Sequence, residues 1–517
     1  MIKKINIITL AIVGLLLLSS TIFYGLYLTP QKRAAAHLEY IHRAIDEVHP
    51  AVLDKKAIEF RYWHIQGYEE AKKSLPLVKT GGDANAILRF YLNGYEDSHL
   101  GGNYFQTPYD LIDSSKSMWA GWTINATHTG YFVQLAKPGD LYPPKNAQLL
   151  SCDQTPIDAL LQKNFSPYFD RRWHILTARQ QAARAFSQRY NNVAILDGPD
   201  IKECTFEVKG TKKSYPFRWQ PRDEKDTAAI RTINNPTYKL PGVKELSPGV
   251  LWITASDFRL NSTEANQRQQ QLLNDLENFK TKKVIIFDTR LNAGGSSSHG
   301  FNIISRALDD DEKNYIFREW DLRFSGADAE FRASWRLYWN WDYKLQHVLK
   351  TQGPNSSPAK FLSAAKNKVK KSLENGQPYF KQSEIFEHTS NDNNIDTKDQ
   401  STEWKSSKQI VLLTSSRCSS ACLDFVDMAK LIPGLIHVGE PTNADTSYIE
   451  VAEMQSRYFG EIFEFMVPAK KWNKRMRQDN IPYIPDIIYA GNIYDDLAVE
   501  SWVLEQIQAI PQQAASN

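Results

Sequence analysis

Apolar and polar positions along the chain divide it into segments of different period. Residues Ile5–Leu28 form one nearly uncharged apolar run, long enough for the roughly 20 residues that span a bilayer. Arg33–Val48 and Ala84–Asn93 repeat apolar positions at helical spacing, with a basic, aromatic stretch and polar turns between them. From about Trp119 to Trp219 the pattern is strand-like and broken by turns, with a short helix predicted at Ile157–Gln162. Val250–Ser256 is a strand candidate, and Thr263–Phe279 a polar helix opened by a Ser/Thr cap. Lys283–Asp288 and Ile410–Thr414 are short continuous apolar runs, the pattern of buried parallel strands. Each leads into a predicted helix, about Gly300–Leu308 and Ser420–Leu431. Strand–turn–helix units of this kind indicate an α/β core.

The stretch between those two strands, about 309–408, reads as an irregular insert. Its first half is aromatic, with Trp320, Trp335, Tyr338, Trp339, Trp341 and Tyr343, and its last part is polar. The aromatic half is either a lid or substrate wall, or helix packing.

Length and charge narrow the function classes. The 517 residues allow two to four domains. The net charge is +3, but Lys3, Lys4, Lys32 and Arg33 flank the apolar run, and the remainder is balanced. A balanced body has no electrostatic footprint for nucleic acid. The expected organisation is an N-terminal signal-anchor over 1–32, its body on the exported side, periplasmic or extracellular, or secreted if the anchor is cleaved. A helical region over 33–118 and a module over 119–220 follow. The core comprises 221–308 and 409–517, around the insert at 309–408. Four cysteines permit disulfides in such a protein, and Cys152–Cys204 would staple a small domain. Cys418 and Cys422 lack zinc-site spacing, no H-E-x-x-H occurs, and no metal or other cofactor is expected.

Three places carry candidate chemistry. Ser420 lies where a buried strand gives way to a helix, which exposes a side chain beside free backbone N–H groups; serine at such a junction is also a favoured helix cap. Asp288–Gly295 runs a buried strand into Gly294-Gly295, and adjacent glycines let amides approach a developing negative charge. His99 sits in the polar loop Glu96–Gly102, where a base could work.

Together these blocks resemble the C-terminal-processing (tail-specific) serine peptidases, in particular the tricorn core and the chlamydial secreted protease branch. Asp97-Ser98-His99, Ile285–Gly295, Ser419-Ser420-Ala421 and Val438-Gly439-Glu440-x-Thr442 with Pro485-Asp486-Ile487 follow that family's blocks in order. Residues 119–165 resemble its PDZ-like module only faintly. The lysine of the family's serine–lysine dyad is missing: Asn443, Ala444 and Asp445 stand where it would be. Ser98-His99 and Asp479–Asp486 fit the tricorn-type triad instead, with Asp for Glu.

The resemblance implies a crotonase-like catalytic core with a degenerate PDZ-like module. It also implies an exported, membrane-anchored serine endopeptidase acting on peptides or unstructured protein segments through an acyl-enzyme. Ser420 would be the nucleophile, His99 the base and Asp479 its orienting acid. Ala421 and one of Gly294 and Gly295, with Gly294 preferred, would bind the oxyanion, and Ser98 and Asn480 would support the site. Two rivals stand beside this reading: a catalytically inactive peptide-binding protein on the same fold, and acyl transfer by Cys418 or Cys422.

Overall fold

The computed structural model describes residues 29–106, 117–189, 193–196, 198–260, 262–324, 327–386, 403–458 and 460–509. The expected anchor at 1–32 lies outside them except for its last four residues. Of these, Thr29 caps the first helix, α1 (Pro30–Val48), and Pro30, Gln31 and Lys32 form its first turn. Among the described residues no helix is long and apolar enough to cross a membrane.

Helices α1, α2 (Ile58–Ser74) and α3 (Gly81–Asn93) lead into strand β1 (Gly101–Gln106). A second unit follows, in which β2 (Trp122–Thr127), β3 (Gly130–Ala136), β4 (Gln148–Cys152), β5 (Glu203–Val208) and β6 (Thr211–Pro216) pair antiparallel in that order. Helix α4 (Leu176–Phe186) lies against β2, and buried Gln180 donates from Nε2 to the carbonyl of Ala126 at 3.3 Å. Cys152 and Cys204 stand opposite each other on β4 and β5 and are joined by a disulfide.

The third unit is a six-stranded sheet. Strand β7 (Gly242–Ser247) is antiparallel to β8 (Val250–Thr254). Strands β8, β9 (Val284–Asp288), β10 (Gln409–Thr414) and β11 (Ile436–Gly439) then run parallel, ending on Ile487–Ile488. Helices α5 (Thr263–Leu276), α6 (Ser297–Ala307) and α9 (Ala421–Ala429) cover one face, burying Leu251, Phe287, Leu412, Ile304 and Phe425 together. Both apolar runs are thus central parallel strands buried on two faces, and that double burial explains their unbroken apolar pattern.

The described part of the insert is regular rather than irregular. It contains a helix at Asp310–Phe324, strands Ala329–Arg332 and Tyr379–Lys381, and helices α7 (Trp335–Thr351) and α8 (Ser357–Glu374); residues 387–402 lie outside the description. These strands join a sheet with β1, β12 (Tyr448–Tyr458) and β13 (Glu461–Trp472). Phe331, Leu337, Trp341, Val369 and Phe380 share one core with Leu38, Ile41, Tyr91 and Phe463. Leu337, Trp341 and Leu345 recur every fourth residue and bury one face of α7. Trp335, Trp339 and Tyr343 occupy another face and stay exposed. Both alternatives for the aromatic half therefore describe different faces of one helix.

Candidate active site

Strand β10 delivers the run Thr414–Ser420 to the mouth of α9, and several elements hold that run in place. Ser415 Oγ donates to the carbonyl of Arg290. Ser416 Oγ donates to Gln180 Oε1 at 2.7 Å, its carbonyl accepts from Thr177 Oγ1 at 2.6 Å, and its N–H reaches Glu440 Oε2 at 3.3 Å. Thus α4 of the antiparallel unit grips the loop four residues before Ser420. A disulfide between Cys418 and Cys422 closes a five-residue ring with Ser420 at its centre. No free cysteine occurs, which removes the thiol nucleophile considered above.

Ser420 has φ 56° and ψ −125°, a conformation that costs an L-residue about 1–3 kcal/mol. Its side chain makes no capping hydrogen bond. The hydroxyl instead lies 3.1 Å from His99 Nε2, across 321 residues of sequence. Capping therefore does not explain this serine, and its strained turn aims the hydroxyl at an imidazole.

His99 is placed by its loop. Asp97 Oδ1 accepts the His99 N–H at 2.9 Å, and Asp97 Oδ2 lies 3.2 Å from His49 Nε2. His49 Nδ1 accepts from the Ala51 amide at 3.1 Å, so the His49 proton sits on Nε2 and is directed at Asp97. Burial raises the Asp97 carboxyl, but the His49 hydrogen bond, the charges of His49 and His99 and the His99 amide outweigh it and hold it below its ordinary range. Asn480 completes the support: its Nδ2 donates to the Glu96 carbonyl at 2.8 Å, and its Oδ1 accepts from Arg172 at 3.1 Å. Sequence reasoning missed Asp97, His49, Arg172 and Gln180 in these roles; only Asp97 carried a signal, its place two residues before His99.

Asp479 does not meet His99. It is exposed, and its Oδ2 accepts from Ser447 at 3.0 Å. The adjacent Asn480, with φ 59°, is tied to the Asp445 carbonyl and to Glu96, which turns the Asp479 side chain outward. His99 Nδ1 is buried with no partner among the described residues. The carboxylates that bear on His99 through charge are Asp97 and Asp445. Asp445 is clamped by Arg477 at 2.9 Å on both oxygens and by Arg475. Burial raises its carboxyl, but the Arg477 contacts and the Arg475 and His99 charges dominate and hold it far below the ordinary range. Ser98 is half-buried, and its hydroxyl forms no hydrogen bond among the described residues.

Two amides close to Ser420 in the fold have no partner among the described residues. Ala421 N–H, first in α9, has no partner among the described residues. The Gly294 amide, the preferred glycine donor, is consumed by Asn292 Oδ1 at 2.9 Å. Phe258 bridges past Gly295, donating to the Gly294 carbonyl and accepting from Ser296, and the Gly295 N–H has no partner among the described residues. A Cβ on Gly294 would lie 2.7 Å from Ser420 Cβ and 3.2 Å from Ala421 N, which puts Gly294 against both, with Gly295 the next residue along the chain. The arrangement offers a hydroxyl, a base and two amides, the set needed to attack a carbonyl and hold the resulting oxyanion.

Residues 249–487 match the model of peptidase family S41. The chain carries an S41 peptidase domain. It is accordingly a serine-type peptidase, and its family implies a peptide or protein substrate. Two solved structures of mature CPAF, one complexed with lactacystin, are each 14% identical to it. They cover 93% of this chain and 99% and 98% of their own, with TM-scores of 0.55 and 0.57. At that identity the likeness is one of fold. A comparison with curated protein sequences finds no match.

Glu440, within the S41 domain, gives a pH signature. Burial pushes its carboxyl up to about 7 from an ordinary 4.5, against the opposing Ser416 amide. Between those values the folded chain holds a proton that the unfolded chain has released. Stability therefore falls as pH rises through this window, by roughly 3 kcal/mol in all. Glu440→Gln should raise the Tm at pH 8 and leave it unchanged at pH 4, as read by calorimetry.

Proposed function

We propose that the chain is an exported endopeptidase, held to a membrane by the N-terminal segment 1–32, that cleaves peptides or unstructured protein segments through an acyl-enzyme on Ser420. The observation that carries this reading is the 3.1 Å contact between Ser420 Oγ and His99 Nε2 at a strained strand-to-helix turn. Ser420 Oγ attacks the scissile carbonyl carbon while its proton passes to His99 Nε2. The N–H groups of Ala421 and Gly295 receive the oxyanion. His99 returns the proton to the departing amine as the C–N bond breaks. Water then attacks the ester, giving its proton to His99, and the carboxylate leaves as Ser420 recovers its hydrogen.

Asp97 fixes the loop of His99 through its backbone, and the charges of Asp97 and Asp445 favour the transient imidazolium. Asp479 has no part in this scheme. The two disulfides fit an oxidising compartment. Residues 119–220 serve as the PDZ-like module, and its helix α4 reaches the Ser416 loop.

The test is a fluorophosphonate probe followed by peptide mapping. One adduct is expected, on Ser420, absent from Ser420→Ala and slowed in His99→Ala. Peptide cleavage continuing with Ser420 unmodified would overturn the assignment.

A further inference from the structure

The catalytic reading does not use the exposed face of helix α7. Helix α7 exposes Trp335 by 51%, Trp339 by 62% and Tyr343 by 78%. Large aromatic side chains at positions i, i+4 and i+8 form a stripe along one helix face. Aromatic area of that extent left in water is costly and marks a contact surface. The stripe walls an open groove of about 930 Å³.

The floor of that groove is continuous with the catalytic loop. Gly101, the first residue of β1, stands two residues beyond His99. It pairs with Met466 on β13, and Met466 pairs with Glu453 on β12. The Glu453 carbonyl accepts from Asn340 on α7 at 2.7 Å. The strip therefore runs from the His99 loop, across three adjacent strands, to the aromatic helix. Gly101 lines the groove and has open space where a Cβ would be.

Two of the three carboxylates at the groove are paired with cations. Arg336 holds Glu47 through two contacts of 3.0 Å, Lys344 lies 3.9 Å from Glu453, and Gln455 donates to Glu464 at 2.7 Å. Gln455 is neutral, so Glu464 keeps its negative charge at the groove, and the exposed surface beside it is aromatic. The stripe spans about 12 Å of helix, the length of about four residues of extended chain.

We propose that this groove docks the substrate: an unfolded polypeptide lays an extended segment with aromatic or aliphatic side chains along Trp335, Trp339 and Tyr343 while its scissile bond lies at Ser420. The inference rests on the peptidase reading above and adds to it a preference for long, unfolded, apolar chains over short peptides.

The test compares reduced, carboxymethylated α-lactalbumin, which is permanently unfolded, with a four-residue fluorogenic peptide too short to reach the stripe. In the full chain, the triple substitution Trp335→Ala, Trp339→Ala, Tyr343→Ala should raise KM for the unfolded protein tenfold or more and change kcat less than twofold. Gly101→Leu, which adds bulk to the groove at a position where a Cβ meets nothing within 4 Å, should raise the same KM. Adding the unfolded protein to Ser420→Ala should shift tryptophan fluorescence, and the triple substitution should abolish that shift. An unmoved KM overturns the groove proposal, as does an unmoved KM with stripe-dependent binding to phosphatidylcholine vesicles or stripe-dependent dimerisation in sedimentation. A wild type that cleaves neither substrate and resists the fluorophosphonate overturns the peptidase reading itself.

Discussion

Replacing His99 or Ser420 by alanine is expected to lower kcat for peptide cleavage about 10⁴- to 10⁶-fold, or roughly 5–8 kcal/mol of transition-state stabilisation. A serine hydroxyl at neutral pH is a poor nucleophile until a base takes its proton, and His99 Nε2 at 3.1 Å is the base in hydrogen-bond reach. Because the two groups perform one proton transfer, their losses should not add. The double variant should be no slower than the worse single one, with residual activity from the Ala421 and Gly295 amides. Far-UV circular dichroism should be unchanged, since neither side chain is buried in a core. A double variant whose loss equals the product of the two single losses would mean that the groups act separately, and the proposed mechanism would fail.

The second large effect concerns the glycine pair, where one added methyl group has opposite consequences at adjacent positions. At Gly294, with φ 95°, a Cβ would lie 2.7 Å from Ser420 Cβ and 2.8 Å from the Ser419 carbonyl oxygen. Gly294→Ala therefore pushes directly on the strained serine. It should cost about 10²- to 10³-fold in kcat, the scale of losing one oxyanion donor, while the chain still folds with a Tm lowered by local strain. At Gly295, with φ 134°, the Cβ would lie 2.0 Å from the Phe258 carbonyl carbon and 2.1 Å from its oxygen. That obstacle is backbone, which cannot rotate aside, so Gly295→Ala should fail to yield folded protein. Gly242→Ala, which meets nothing within 4 Å, is the control with unchanged melting and kcat. A fully active Gly294→Ala would place the serine farther from the glycines than this geometry allows.

Parts of this architecture were legible in the sequence because burial leaves a periodic trace. Val284–Asp288 and Gln409–Thr414 could be read since both faces of a central parallel strand must be apolar. Helix α2 could not. Its inward positions are Phe60, His64, Gly67 and Ala71, correctly spaced for a helix, but one is a histidine and one a glycine. His64 is accommodated by a 2.7 Å hydrogen bond to Tyr95, a partner that no local pattern reveals. The insert was hidden for a related reason: on α7 aromatic residues occupy the buried and the exposed faces alike, so apolar character marks neither.

At the site, residue types were legible and hydrogen-bond allocation was not. Ser420, His99 and two glycines stand out by type and context. Whether Gly294 or Gly295 keeps a free amide depends on where the Asn292 side chain turns. Whether Asp479 reaches His99 depends on how Asn480 is tied to Glu96 and Asp445. Both are tertiary choices made by polar side chains across distances no spacing rule covers.

On the proposed mechanism, the 321 residues between the imidazole and the hydroxyl also govern when and where this chain could cut. A ribosome-bound chain that has not yet emerged past residue 420 holds a histidine loop and nothing for it to activate. A fragment beginning after residue 99 has the opposite lack. Destructive power thus arrives once, at the end of synthesis, when α3, β10 and the glycine turn have docked, and a nick that lets the halves drift apart disarms the molecule without touching the serine.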